Sequence, residues 1–361
     1  MCGPWPLPWD GQISTVGRGS DLAPRRQVCV GCGSQLQYAC SQRQKLALKY
    51  PVAQKGMHMQ RRDLLALWGL STLSALSYGQ TKVPIADAHN HIGLLRRNTE
   101  SVPKLATLMR ESGVQLLSWT IAPDAPFLRI SASGVSQARP INPGELANAF
   151  DRQMTNATQG LAGQNITIVK TLEDLDKAAQ GEPCVVLTSE GADFLEGSLE
   201  GLPGAYARGI RHVQLVHYVQ SAIGDLQTEK PQHSGLSAFG KSLIPALNAQ
   251  GILIDLAHST GASIDQALAL SKAPMIWSHG YIASNEPGWS AGGWKSRGLS
   301  EAHAKKIAQS GGAIGLWCLS ASFGGGLEGY ADEIIRMIKL LGPEHVMFGS
   351  DEDGLPSGAV I

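Results

Sequence analysis

The sequence predicts an α/β fold of the (β/α)₈ barrel type. Apolar runs of strand length alternate with helix-length amphipathic stretches, there are eight such runs, and no glycine-rich nucleotide fingerprint follows the first. The runs are residues 85–91, 114–121, 184–188, 210–216, 252–256, 275–278, 313–317 and 346–349. Between them, residues 102–111, 172–179, 236–249, 264–270, 301–309 and 332–341 carry helical spacing. Strand and helix in strict alternation demand a parallel sheet, and eight units in this length favour a closed barrel over an open doubly wound sheet. Where a doubly wound fold would carry its phosphate loop, this chain has Ile85-Ala86-Asp87-Ala88-His89-Asn90-His91-Ile92-Gly93.

The chain has 361 residues, 43% of them hydrophobic, enough for one large core. Lys plus Arg and Asp plus Glu number 30 each, so net charge recruits neither nucleic acid nor an anionic membrane. A small molecule is the expected partner. Cys2, Cys29, Cys32 and Cys40 crowd the first forty residues while Cys184 and Cys318 stand alone, which is no disulfide framework. Cys29-x-x-Cys32 lacks the second pair that a structural zinc site needs.

Residues 59–79 read as an export signal. Arg61-Arg62 precede an apolar stretch, 64–76, too short to span a bilayer, and Ser77 and Gly79 suit processing before Gln80. The arginine pair followed by Asp63-Leu64-Leu65 resembles a bacterial twin-arginine signal, which implies export to the periplasm and no stable membrane span in the mature chain. Translation is then expected to begin at Met57 or Met59, with 1–58 a spurious or disordered extension and 80–361 the barrel domain.

Six of the eight barrel runs end in chemistry. His89 and His91 close the first, Glu190 the third, His217 the fourth, His258 the fifth, His279 the sixth and Asp351 the eighth. In a closed parallel barrel these C-terminal ends converge on one mouth. His89 and His91, two apart on a strand, face the same side and can ligate together, with Asp87 one step deeper as an acceptor that orients a ligand. Burying several ionisable groups without partners costs several kcal/mol, so a shared cation is the economical account. Four imidazoles and a carboxylate suit zinc or a similar divalent ion, with Glu190 able to bridge two of them. Asp351, in an acidic Asp-Glu-Asp-Gly turn at the mouth, is the expected proton carrier. His303, His345 and His212 read as structural, and His233 as a loop residue.

Taken in order, Asp87-Ala88-His89-Asn90-His91, Ser189-Glu190-Gly191-Ala192-Asp193, the stretches from Gly209 to His217 and from Gly235 to Gly240, Ile254-Asp255-Leu256-Ala257-His258, Trp277-Ser278-His279, Ser296-Arg297 and Gly349-Ser350-Asp351 through Gly354 resemble the membrane (renal) dipeptidase family of the amidohydrolase superfamily. The likeness runs from about Val83 to Leu355. It implies a two-metal dipeptidase, a homodimer in some members, in which a metal-bound hydroxide cleaves the amide of a dipeptide or similar acyl-amino acid. By resemblance His89 and His91 bind one zinc ion, Glu190 bridges, and His258 and His279 bind the other. His217 polarises the scissile carbonyl, Arg297 holds the substrate carboxylate and Asp351 handles the proton.

Three departures stand out. The family usually has Asp where this chain has His91, and commonly Ser where it has Gly280. The chain also stops at Ile361, ten residues past Asp351, so the barrel is expected to be incomplete at its C-terminal end. The alternatives are a related metal barrel acting on lactones or other small esters and amides, or an inactive metal-binding remnant.

Overall fold

The structure, a computed structural model, describes residues 84–95, 104–131, 134–283, 293–319, 322 and 326–355. The expectations for 1–58, for the export signal at 59–79 and for the last residues of the chain lie outside these.

In chain order the elements are β1 (Ile85–Asn90), α1 (Leu105–Ser112), β2 (Val114–Ile121), β3 (Leu128–Ser131), β4 (Gly134–Gln137), α2 (Glu145–Leu161), β5 (Thr167–Ile168), α3 (Leu172–Ala179) and β6 (Cys184–Ser189). They continue with α4 (Leu202–Ala207), β7 (Ile210–Gln214), α5 (Ala238–Gln250), β8 (Leu253–Asp255), α6 (Gly261–Leu270), β9 (Tyr281–Ala283), β10 (Gly298–Ser300), α7 (Glu301–Gln309), β11 (Ile314–Leu316), α8 (Gly326–Leu341) and β12 (Val346–Phe348).

Seven strands pair in parallel in the order β11, β12, β1, β2, β6, β7, β8, with β5 alongside β6. The eighth stave is the segment 275–278. Ile276 bridges Asp255 on one side and Trp277 bridges Ile314 on the other. The Ile276 amide donates to the Ile254 carbonyl at 3.0 Å and the Gly315 amide to the Trp277 carbonyl at 2.8 Å. The ring therefore closes on the eight runs expected from sequence. Its interior is packed: Ala86, Leu116, Val186, Leu253, Ile276 and Met347, from six different staves, fall in one buried cluster.

The helices start where short hydroxyl side chains can cap them. Thr171 and Asp174 form a reciprocal capping box at α3. Ser237, Thr260 and Ser300 each accept a backbone amide at the starts of α5, α6 and α7. Thr260 draws α6 three residues ahead of the expected 264. Among the described residues, no helix is long and apolar enough to cross a membrane.

Three features went unpredicted. The hairpin β3–β4 pairs antiparallel, and β9 and β10 form a separate parallel pair. Helix α2 buries Leu146, Ala149, Phe150, Met154, Ala157 and Leu161, a stripe with three- and four-residue spacing. Its Asn, Gln and Thr content hides that stripe from composition.

Candidate metal centre

All seven mouth residues singled out in the sequence meet in space, and all are buried. Barrel geometry is the reason. His89 lies at the end of β1 with His91 just past it, Glu190 follows β6 directly, and His217, His258 and Asp351 each stand three residues beyond β7, β8 and β12. His279 directly follows the closing stave. His258 (φ 67°) and Asp351 (φ 56°) adopt the left-handed conformation, which costs a residue with a Cβ about 1–3 kcal/mol and persists only where the surroundings enforce it. Two glycines make room for the group. A Cβ on Gly354 would meet His91 Cδ2 at 2.8 Å and collide with Asp351 Oδ1. Gly280 has φ 139°, and a Cβ there would lie 2.8 Å from Trp277 Nε1, so the family serine has no space in this backbone.

Glu190 is the hub. Its Oε1 lies 3.5 Å from His89 Nε2, 3.2 Å from His258 Nε2 and 3.5 Å from His279 Nε2. Its Oε2 lies 3.1 Å from His91 Nε2 and 3.2 Å from His217 Nε2. Asp351 Oδ1 completes the near side, 3.4 Å from His91 Nε2 and 3.8 Å from His89 Nε2. The imidazoles also face one another, with Nε2 atoms 3.0 Å apart for His89 and His91 and 3.2 Å apart for His258 and His279. Two neutral ring nitrogens pointing lone pairs at each other at that distance call for a proton or a cation between them.

Three overlapping sets bring donor atoms within 4.8 Å of one another: His89, Glu190 and His279; His89, His91 and Asp351; Glu190, His217 and His258. Imidazole and carboxylate donors gathered this way fit divalent zinc-type ions. The grouping differs from the sequence expectation in part: His89 and His91 share a set, joined by Asp351, but His279 falls with His89 and Glu190, and His258 with Glu190 and His217.

The back nitrogens have their own acceptors. His91 Nδ1 lies 2.8 Å from the Thr120 carbonyl, and His217 Nδ1 lies 2.7 Å from Asp124 Oδ1. Asp124 also accepts the Tyr218 amide at 3.2 Å. Sequence reasoning missed Asp124, although it stands three residues past β2 just as His217 does past β7. Ser278 Oγ lies 2.9 Å from His279 Nδ1 and 3.3 Å from His89 Nδ1. Asp87, expected to orient a ligand ring, instead accepts the backbone amides of His89 at 3.2 Å and Ser350 at 2.9 Å. It therefore ties β1 to the turn bearing Asp351.

Electrostatics divide the rings. Burial alone would lower His91, but hydrogen bonds with Asp351 and Glu190 carry it up to about 10. His217, despite burial, is raised by the charges of Asp124 and Glu190. Burial holds His258 and His279 well below the usual imidazole range, assisted by the charge of Arg297 on His258 and of His89 on His279. Burial by itself would raise Glu190; the charges of His217 and His89 outweigh it and hold the carboxyl well down. An ionised Glu190 and neutral His258 and His279 are the forms that ligate metal, whereas His91 has to shed its proton to do so.

Arg297 is fully buried beside this cluster. Its Nη1 donates to Gln227 Oε1 at 2.7 Å, and its Nη2 lies 3.0 Å from His279 Nε2. The remaining histidines are structural: His303 bonds Ser300 Oγ at 2.9 Å, His345 the Gly312 carbonyl at 2.7 Å, and His233 the Ser221 carbonyl at 3.2 Å. Trp294 packs edge-on against Trp317, 6.3 Å between centroids. Trp289 lies outside the described residues.

Comparison with known proteins follows the same line. The family model described as Membrane dipeptidase (Peptidase family M19) matches residues 79–359. An uncharacterized dipeptidase of Schizosaccharomyces pombe is 28% identical over 190 residues, 49% of this chain and 43% of that protein. Dipeptidase aclJ of Aspergillus oryzae is 28% identical over 181 residues, 48% of this chain and 41% of that protein. The chain thus spans less than half the length of these curated relatives. Among solved structures, a dipeptidase of peptidase family M19 superposes with TM-score 0.62 at 21% identity, covering 77% of this chain and 88% of the other. A metallopeptidase of Rhodobacter sphaeroides, solved with a phosphinate mimic of the dipeptide L-Ala-D-Ala, gives TM-score 0.61 at 21% identity, covering 76% and 88%. At that identity the likeness is one of fold.

Proposed function

This chain belongs to the membrane dipeptidase family, and from that premise we propose that its barrel mouth is a two-metal centre that hydrolyses the amide bond of dipeptides or similar small acyl-amino acids. One observation carries the reading: the Nε2 atoms of five imidazoles surround the two oxygens of Glu190 at 3.1–3.5 Å, with Asp351 beside them. In this reading Glu190 would help hold both ions, with His89 and His91 holding one beside Asp351 and His258 and His279 holding the other. When bound, two zinc ions supply Lewis acidity toward the scissile carbonyl and lower the pKa of water at the site.

The chain's own residues do the rest. His217, its Nδ1 directed at Asp124, presents Nε2 to the mouth as a hydrogen-bond donor and steadies the negative charge that develops on the carbonyl oxygen. Asp351 accepts the proton of the attacking water and returns it to the leaving amine. Arg297, held by Gln227, offers a planar two-point contact to the free carboxylate of the substrate. That handle favours dipeptides over lactones and simple esters, which lack such a carboxylate. Export through the Arg61-Arg62 signal to the periplasm, and a homodimer, belong to the same reading and rest on sequence alone.

Zinc content and hydrolysis of a dipeptide panel, run beside a lactone panel, test it. Two zinc equivalents with dipeptide turnover are expected; fewer than two equivalents, or turnover of lactones alone, would overturn it. Arg297→Lys keeps the charge and loses the fork, so KM for dipeptides should rise about tenfold with kcat little changed. Unchanged KM would remove Arg297 from the substrate site.

A further inference from the structure

We propose that Ser278 is a positioning residue shared by the two metal positions, fixing through a single hydroxyl the tautomer and aim of one imidazole ligand from each. The inference rests on the two-metal reading above. Its ground is a difference in how the ligand rings are held from behind. His91 and His217 each have a private acceptor, the Thr120 carbonyl and the Asp124 carboxylate. His89 and His279 share one, with Ser278 Oγ at 3.3 Å and 2.9 Å from their Nδ1 atoms. The two rings lie against each other, 3.9 Å between centroids and 34° between planes, so one small side chain reaches both.

A hydroxyl has two acceptor lone pairs and one proton. With both Nδ1–H groups donating to Oγ, both Nε2 atoms turn their lone pairs to the mouth, where His89 Nε2 lies 3.0 Å from His91 Nε2, and His279 Nε2 lies 3.2 Å from His258 Nε2 and 3.0 Å from Arg297 Nη2. The backbone of Ser278 is itself held in place. The Ser278 amide donates to Asp255 Oδ1 at 3.0 Å, and its carbonyl occupies a slot where a Cβ on either Gly315 or Gly349 would collide with it. Ser278 is fully buried behind the rings, so it acts through them.

The consequence is coupling: loss of one hydroxyl should loosen both ions. Zinc release from the purified full chain is followed by competition with a chromogenic chelator, for wild type, Ser278→Ala and Ser278→Cys. In Ser278→Ala both zinc dissociation constants should rise, each by about 10- to 100-fold, the range for loss of a partner that orients a ligand. Ser278→Cys, similar in size but a weak acceptor, should show the same double loss, and it carries the test if the alanine variant does not fold. His258→Ala gives the contrast, weakening one ion far more than the other. Both affinities within twofold of wild type in the serine variants, or only one ion weakened, would overturn the shared role. Fewer than two zinc equivalents in wild type would instead overturn the two-metal reading on which it stands.

Discussion

Two histidines five residues apart, one within a strand and one past its end, show what separates an imidazole enclosed by the barrel from one that faces its mouth. His212 lies within β7 and His217 just past its end. Both are buried and both face an aspartate, His212 Nε2 at 3.2 Å from Asp255 and His217 Nδ1 at 2.7 Å from Asp124. In the barrel interior both nitrogens of His212 are taken by the protein, Nδ1 lying 3.2 Å from Thr188 Oγ1. At the mouth, by contrast, His217 Nε2 faces only the Glu190 hub, at 3.2 Å. Burial lowers His212, while Asp124 and Glu190 raise His217 against the same burial. Depth in the barrel, more than residue type or burial, decides which ring is available for chemistry.

The comparison breaks most visibly at the hub. Glu190→Gln removes the charge that five rings at the mouth share, and it should lower kcat/KM by about a thousandfold or more with loss of bound zinc. Retention of two zinc equivalents would show that the mouth does not depend on Glu190. At the interior level, His212→Ala leaves Asp255 buried without its ring partner. Chemical denaturation should report about 3–5 kcal/mol of lost stability, while folded protein still binds zinc. Selective zinc loss with unchanged stability would erase the distinction between the two levels.

A smaller effect sharpens it by pH. Asp193, near the mouth, is raised by burial from 3.8 to about 7, and its Oδ2 has no hydrogen-bond partner, as suits a protonated carboxyl. Because the folded state holds this proton more tightly than the unfolded state, the wild-type contribution of Asp193 to stability falls as pH rises from about 4 to 7. Asp255 runs the other way, since a lowered carboxyl contributes stability above its unfolded pKa and loses it as pH falls. Asp193→Asn should therefore gain in thermal midpoint relative to wild type between pH 4 and 7. A difference that is flat across this window would mean that the carboxyl is ionised throughout.

The barrel was legible because its staves are buried and most carry a short apolar run, such as Cys184-Val185-Val186-Leu187 in β6. The mouth was legible because closure of the ring sends every run's end to the same place. Asp124 escaped because it lies in an Ala-Pro-Asp-Ala-Pro turn that looks like punctuation, and its partner is 93 residues away. Ser278 was visible only as part of a motif; no periodicity tells that one hydroxyl stands behind two rings. The helix α2 was missed for a different reason, its polar surface outweighing a correctly spaced apolar stripe.

The ring of strands has an uneven hoop. Between β2 and β6 the register runs over six residues, whereas the segment 275–278 is joined by a single bridge on either side, and β1 meets β12 at one register pair with the bridge Asn90–Glu352 beyond it. His279 descends from that joint and His258 from β8 beside it, while Asp351 follows β12 and His89 lies in β1 next to β12. Cations seated among them would rivet the thinnest part of the hoop. Emptying the centre should then let amide protons around Ile276 and Trp277 exchange sooner than those of β2 and β6, making this seam the place where the barrel begins to open.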